Sequence, residues 1–208
     1  DMLAGASALV RAYGYGPLTP NTILLGDSGN PENFSEFADL IRLIYRTRRN
    51  LIMLRDSTAD IRSQEDEIHV WWGGETNNIG LILTLAYQIQ KSPIWNQSKL
   101  ILNTIVGSDN EKTAALNRLE TFIEEQRIPA TAMVLIKDQP SFYDMIRKTS
   151  ANAGLVFMGM RPPGDNEPTE EYGSYYEGLL KATEGMPPLA FVLAAEPIKF
   201  QRLIGISD

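Results

Sequence analysis

The chain has 208 residues, of which 43% are apolar and 22% charged, enough for one compact domain, or one and a piece of another, that needs no disulfide or metal to hold its core. Cysteine is absent and histidine occurs once, which excludes a disulfide scaffold and leaves no transition-metal site of the usual ligand number. The formal net charge of -7 would repel nucleic acid and anionic lipid, and no apolar run reaches the roughly 20 residues that a membrane-spanning helix needs.

Apolar runs of strand length alternate with segments of helical period from the beginning of the chain. Residues 3–13 predict a helix ahead of the first strand. A crossover helix without a preceding strand suggests an upstream subdomain of which residues 1–19 are the end; the alternative is an added helix that packs on this domain. Strands are then predicted at residues 22–26 and 50–55, with a helix over residues 31–47 between them. This part of the chain therefore has a β-α-β pattern.

The next strand, residues 68–72, contains the single histidine and ends at a glycine pair. Asn77 or Asn78 can cap the helix that follows, which extends to residue 91. Apolar side chains point almost all round this helix, whereas a surface helix needs only one apolar stripe. We therefore expect it to be buried a second time, against an upstream subdomain or a second copy of the chain, unless the N-terminal helix or the tail covers it. The residues expected at such an interface are Leu81, Leu85, Tyr87 and Ile89.

The rest of the chain continues the alternation. Strands are predicted at residues 100–106, 131–136, 155–160 and 189–194. Helices are predicted from a capping-box spacing at residues 108–111, near residues 141–148, and over residues 171–183. Strands of continuous Val, Ile and Leu character that alternate with helices are typical of a parallel sheet covered on both faces. The sequence therefore predicts an α/β fold with a doubly wound, mostly parallel sheet.

Residue types that carry chemistry are scarce and poorly placed for it. His69 lies inside a strand near tryptophan, whereas Ser-His-Asp chemistry needs an imidazole at the lip of a cleft. The acidic run at residues 65–67 lacks the alternating spacing of a calcium loop and is better explained as a solvated face. We therefore expect no catalytic residue, no metal site and no cofactor, and hence no enzyme.

One segment has the layout of a phosphate site, namely a strand, a glycine loop and a helix. Its candidate ligand residues are Gly159, Gly164, Gly173 and Ser174. The segment resembles a decayed nucleotide loop of universal stress proteins. Pro162 and Pro163 remove two amide donors, and neighbouring carboxylates would repel a polyphosphate. A structural turn is therefore favoured, and a soluble nucleotide-binding protein of the universal-stress type is the alternative.

A set of motifs occurs in a fixed order along nearly the whole chain. It comprises Tyr13-Gly-Tyr-Gly16 with residues 20–26, the Trp-Trp strand 68–72 with residues 80–85, Ile94-Trp95 with residues 99–102, the loop 159–166, and residues 176–180 with Thr183-Glu-Gly185 and the strand 189–193. Together these motifs resemble the C-terminal cytoplasmic domain of cation-chloride cotransporters, the family of sodium-potassium-chloride and potassium-chloride carriers. The tryptophan pair, the proline-glycine loop and the Thr-Glu-Gly turn, in that sequence, make the resemblance specific.

The resemblance implies a universal-stress-protein-like fold without the nucleotide site, located at the cytoplasmic face of the cell membrane as part of an integral membrane transporter. It implies a homodimer, an upstream subdomain and a transmembrane domain in the same polypeptide, with a regulatory and assembly role in ion symport. Residues 20–208 would be the universal-stress-protein-like subdomain and residues 1–19 the end of the preceding one. Animal members insert long phosphorylated segments in this region, whereas residues 136–155 here hold one short helix, which looks more like a prokaryotic member.

Overall fold

The structure is a computed structural model that describes residues 2–12, 20–27, 29–56, 67–74 and 77–197. The strands of this described part are β1 Thr22–Gly26, β2 Asn50–Arg55, β3 Glu67–Trp71, β4 Lys99–Val106, β5 Ala130–Ile136, β6 Leu155–Gly159 and β7 Leu189–Leu193. Its α-helices are α1 Met2–Ala12, α2 Phe34–Arg46, α3 Ile79–Gln90, α4 Asp109–Gln126, α5 Phe142–Thr149 and α6 Thr169–Ala182, and a 3-10 turn, Pro31–Asn33, leads into α2. Every predicted strand and helix is therefore present.

The seven strands form one sheet in the order β1-β2-β7-β6-β3-β4-β5. Strands β7, β6, β3, β4 and β5 are mutually parallel, and β1 is parallel to β2. The two blocks meet where β2 pairs antiparallel with β7, a strand that lies far away in the sequence. The predicted α/β fold with a mostly parallel sheet is confirmed.

Helices cover both faces of the sheet, because successive residues of each strand contribute to different cores. In β6, Val156 and Met158 belong to one core and Phe157 to the other. The first core receives side chains from α1, α2, α5 and α6, and the second from α3 and α4. Full burial of an aromatic side chain such as Phe157 contributes roughly 1.5–3 kcal/mol to stability. The sheet is thus doubly wound, as the continuous apolar strands predict.

The first helix packs on the same core as the strands that follow it. Val10 is buried among the side chains of the first core, and the Arg49 guanidinium donates a hydrogen bond to the Val10 carbonyl. The helix α1 also contacts α2. Residues 13–19, which include the Tyr13-Gly-Tyr-Gly16 motif, lie outside the described residues. This packing agrees with an added helix, and an upstream subdomain stays a prediction.

Two helix starts differ from the predicted capping. Ser108 precedes α4 without a side-chain bond to the helix, while Glu111 accepts a hydrogen bond from the Gly107 amide at 3.1 Å. Asn78 precedes α3, and its side chain also makes no capping bond. Its amide instead bonds to two loops that are distant in sequence. Ser108 and Asn78 therefore stand at the predicted N-cap positions without the predicted side-chain bonds, and the Asn78 amide is used by the Met160 carbonyl and the Ala194 amide instead.

Candidate functional site

The crevice beyond the carboxyl ends of β3 and β6 is the place where the sheet reverses its winding. The chain leaves β3 through α3 on one face and leaves β6 through α6 on the other. Open α/β sheets bind their ligands at such a switch point. A cavity of about 580 Å³ lies here, and its lining includes Trp71, Trp72, Asn78, Arg161 and Tyr175. The topology therefore makes this crevice the first candidate for a binding site.

One polar side chain of the crevice, Asn78, joins the three segments that surround it. Its Nδ2 donates to the Met160 carbonyl at 2.7 Å, and its Oδ1 accepts from the Ala194 amide at 2.8 Å. The amide thus connects the start of α3 to the chain after β6 and after β7. A Cβ atom at Gly159 would lie 2.8 Å from the Asn78 Nδ2. Glycine at position 159 is therefore required by the close approach of Asn78.

At the mouth of the crevice, Arg161 is fixed by two tyrosines. Its guanidinium lies over the Tyr175 ring at 4.5 Å and over the Tyr172 ring at 5.1 Å. The backbone is held as well, because the Arg161 amide donates to the Tyr175 hydroxyl and the Tyr172 hydroxyl donates to the Arg161 carbonyl, both at 3.0 Å. Burial raises the pKa of both phenols, so they stay protonated. The cation therefore has a fixed position above two neutral aromatic rings.

The charge of Arg161 is neutralised by a carboxylate from the same loop. Both terminal nitrogens of the guanidinium donate to Glu167, and the Gly164 amide donates to the Glu167 Oε2 at 2.8 Å. The hydrogen bond from Arg161 is the main cause that lowers the pKa of Glu167 to about 2, and the amide of Gly164 adds to it. Glu167 is therefore ionised at neutral pH, and its side chain is only 8% exposed.

The four residues predicted for a nucleotide loop do not surround one ligand position. Gly159 lines the crevice, whereas the amide of Gly164 faces Glu167. Gly173 and Ser174 lie inside α6, which begins at Thr169 and so places the pair beyond the helix start. Gly173 packs near Ala38 and Phe34 of α2, and the Ser174 hydroxyl donates to the Glu170 carbonyl. The Gly-Ser pair therefore offers no free helix N-terminus to a phosphate.

The single histidine belongs to a buried hydrogen-bond chain. The Trp71 Nε1 donates to the Ser150 Oγ at 2.9 Å, so the serine hydrogen is available for the His69 Nδ1, also at 2.9 Å. The His69 Nε2 then carries the other hydrogen and donates to Glu67 at 3.1 Å. The order carboxylate, imidazole, hydroxyl is that of a hydrolase triad. Ser150 is completely buried and His69 is 2% exposed, so this hydrogen-bond network links the end of α5 to β3 at a place that no substrate reaches. Sequence reasoning missed Ser150, since a serine after a short helix carries no signal of a partner in a distant strand.

The residues predicted for an interface on α3 differ in exposure. Leu81 is 6% exposed and belongs to the second core, so it retains little surface for a partner. Leu85, Tyr87 and Ile89 are half-buried and lie at the margin of that core. The accessible part of the predicted interface is therefore the second half of α3.

Among the described residues, no helix covers the α3 face of the sheet farther along, over β1 and β2. Leu24 is 61% exposed and Leu54 is 43% exposed. The strand register aligns them with Val192 and Ala190, which are buried in the second core. We call Leu24, Ile52 and Leu54 the open strip. Contiguous exposed apolar surface of this kind often marks a contact with another protein surface.

In the described part of the chain, neither a cluster of metal-ligating side chains nor a helix suited to span a membrane is found. No group of three or more His, Asp or Glu side chains there could hold a metal ion. None of its helices combines the length and apolar character needed to cross a membrane.

No family model matches the sequence, and no curated protein matches it either. Among solved structures, the cytoplasmic domain of a prokaryotic cation chloride cotransporter is similar with a TM-score of 0.67 and 18% identity, over 98% of this chain and 73% of that one. A universal stress protein from Archaeoglobus fulgidus is similar with a TM-score of 0.55 and 14% identity, over 89% of this chain and 64% of that one. At these identities the likeness establishes the fold, which is universal-stress-protein-like as predicted.

Proposed function

We propose that this chain works as a cytoplasmic regulatory and dimerisation domain of a cation-chloride cotransporter and carries out no catalysis of its own. The observation that carries the proposal is the fold likeness to the cytoplasmic domain of a prokaryotic member, which extends over 98% of the chain. The tryptophan strand, the proline-glycine loop and the Thr-Glu-Gly turn of this chain resemble motifs of that family, and this resemblance supports the proposal. The match to the universal stress protein is looser and shorter, which favours the cotransporter reading.

The pairing of polar groups in the crevice supports a role without chemistry. Asn78 uses both ends of its amide within the chain, and Arg161 is paired with Glu167. The hydroxyl of Ser150, which has an imidazole beside it, is completely buried. A general base or nucleophile must reach a bound substrate, and none of these groups does so in this arrangement.

The proposed dimerisation role requires a surface through which two copies of the chain associate. The second half of α3 and the open strip lie on the same face of the sheet, and both are apolar. We assign this face to a second copy of the chain. Because each copy carries a formal charge of -7, association must come from apolar burial strong enough to exceed the repulsion between copies.

Transport by the parent polypeptide tests the proposal. Cells that lack their own potassium uptake would express the full-length protein, and uptake of radioactive rubidium would be measured with chloride present or replaced by gluconate. We expect uptake that depends on chloride and that falls when residues 20–208 are deleted while the protein remains in the membrane. Uptake that is indifferent to both chloride and the domain would refute the proposal.

A second candidate is a nucleotide-binding protein of the universal-stress type, favoured by the cavity of about 580 Å³ at the switch point. The separation of Gly159 from Gly173 and Ser174 counts against it. Calorimetric titration with ATP decides between the two. Micromolar affinity would support the second candidate, and no heat of binding up to millimolar ATP would remove it.

A further inference from the structure

The loop between β6 and α6 contains three hydrogen-bond donors that converge on one carboxylate. Two of them are the terminal nitrogens of Arg161, and the third is the backbone amide of Gly164. A guanidinium fork together with a loop amide is the set of donors that proteins use to bind the oxygens of a phosphate or carboxylate ligand. In this chain the oxygens belong to Glu167.

The Arg161 guanidinium is held in place by contacts that do not involve Glu167, whereas the Gly164 backbone contacts Glu167 itself. The rings of Tyr172 and Tyr175 lie beneath the guanidinium, and both hydroxyls bond to the backbone of Arg161. Tyr172 is completely buried, so this support is part of the core. The position of Arg161 therefore does not depend on the carboxylate that it binds.

The surroundings of the loop add positive charge. Arg42 donates to the Thr169 hydroxyl at 2.5 Å, and its charge also acts on Glu167. Arg46 donates to the Asp165 carbonyl at 3.0 Å. Negative charge is present as well: Asp39 of α2 accepts from the Thr169 hydroxyl, and Asp165, Glu170 and Glu171 flank Glu167 in the loop and the first turn of α6. The field at the carboxylate of Glu167 is therefore set by cations on α2 as well as by Arg161.

From this geometry we infer that Arg161 and the Gly164 amide form an oxyanion-binding site that the chain fills with its own Glu167 carboxylate. The ligand class is a phosphate or other small oxyanion. The internal carboxylate is tethered three residues from Gly164 and competes at a high effective concentration, so it excludes a free anion from the native protein. The inference depends on this geometry alone and does not rest on the proposed transporter role.

An ordinary surface ion pair would behave differently. Such a pair adds little to stability, and its loss creates no binding site. An oxyanion site that is vacated by mutation binds a free anion, and this binding stabilises the folded protein in a saturable manner. The two descriptions therefore differ in how a variant without the carboxylate responds to added phosphate.

The experiment is a thermal-unfolding titration of the purified chain with inorganic phosphate, at constant ionic strength maintained with sodium chloride. Glu167→Ala removes the internal carboxylate, Glu170→Ala removes a nearby exposed carboxylate as the matched control, and the double variant R161M/E167A removes the main donor too. We expect a saturable rise in Tm for E167A and none for the native chain, E170A or the double variant. The phosphate affinity of E167A should exceed that of the native chain at least about tenfold.

A direct probe covers the case in which E167A does not fold. E167S keeps a small polar side chain, and phosphate should shift the amide resonance of Gly164 in this variant but not in the native chain. An E167A or E167S variant that ignores phosphate, or a double variant R161M/E167A that responds equally, overturns the inference.

Discussion

Replacing Gly159 with alanine is expected to destabilise the domain by about 2–4 kcal/mol. The added Cβ would lie 2.8 Å from the Asn78 Nδ2 and 3.3 Å from the Asn78 Cβ. Rotation of the amide can relieve the first contact, and the second requires the Asn78 Cβ to shift by a few tenths of an ångström. The side chain must move and lose its bonds to the Met160 carbonyl and the Ala194 amide. Two lost hydrogen bonds at about 1 kcal/mol each, with stranded backbone partners, give the stated range.

Denaturation by urea measures the change, and Gly178→Ala provides the matched control. A Cβ at Gly178 meets no atom within 4 Å, and the residue lies inside α6. Alanine is favoured over glycine in a helix interior by roughly 0.5–1 kcal/mol, so G178A should leave stability unchanged or raise it. The slope of the free energy against urea should be the same in all variants, because the surface exposed on unfolding does not change.

A double-mutant cycle identifies the cause. Asn78→Ala alone should lower the free energy of unfolding about as much as G159A does. In a chain that already lacks the Asn78 side chain, G159A should lower it little further. The close approach of Asn78 to Gly159 is refuted as a constraint on stability if G159A unfolds at the same urea concentration as the native chain. It is also refuted if alanine at position 159 costs the same with and without the Asn78 side chain.

Three further predictions concern the core, the loop and the surface. Ser150→Ala should lower the free energy of unfolding by about 1–3 kcal/mol, because it leaves the buried Trp71 Nε1 without its hydrogen-bond acceptor. The control Ser174→Ala, at an exposed helix position, should change this free energy by no more than about 0.5 kcal/mol. Equal stabilities of the two variants in urea would contradict the prediction. The pKa of Glu167 is about 2 in the folded chain and near 4.5 when unperturbed. Between these pH values the unfolded chain therefore binds more protons than the folded chain. The stability contributed by Glu167 is complete above pH 4.5 and is lost as the pH falls toward 2. The difference in unfolding free energy between the native chain and E167Q should therefore shrink in that window, and a constant difference would exclude the ion pair as its source. Leu85→Asp and Leu24→Asp should each weaken self-association at least about tenfold in sedimentation equilibrium, because each places a carboxylate in the proposed contact. The control Leu9→Asp, on α1 over the other face of the sheet, should leave self-association unchanged. Unchanged self-association in L85D and L24D would exclude this face as the interface.

The strands and helices were predictable because their apolar period is local information. The run of Leu and Ile in β4 indicates burial on both faces, and the stripe through Phe37 and Ile41 indicates the inward face of α2. The antiparallel junction of β2 with β7 was not predictable in this way. Pairing between distant strands depends on the whole sheet, and a strand of Val, Ile and Leu character fits either direction.

The sequence indicated one segment of the candidate crevice, but not the contacts that this segment makes. The glycines drew attention to the segment after β6, yet Gly159 is required by Asn78, a residue 81 positions earlier in the chain that looked like a helix cap. The carboxylate of Glu167 was grouped with acidic residues that repel phosphate, whereas the structure places it on Arg161 and Gly164. A side chain's partner across the fold depends on tertiary geometry, and spacing along the chain does not encode it.

The proposal that this domain belongs to a membrane transporter is tested most directly by the size and location of the protein that contains it. An antibody raised against this domain would be used on fractionated cells of the source organism, with a carbonate wash of the membrane pellet. A transporter domain should give a band far larger than a 208-residue chain that pellets with membranes and resists the wash. A band of the size of this chain in the soluble fraction would contradict the proposal.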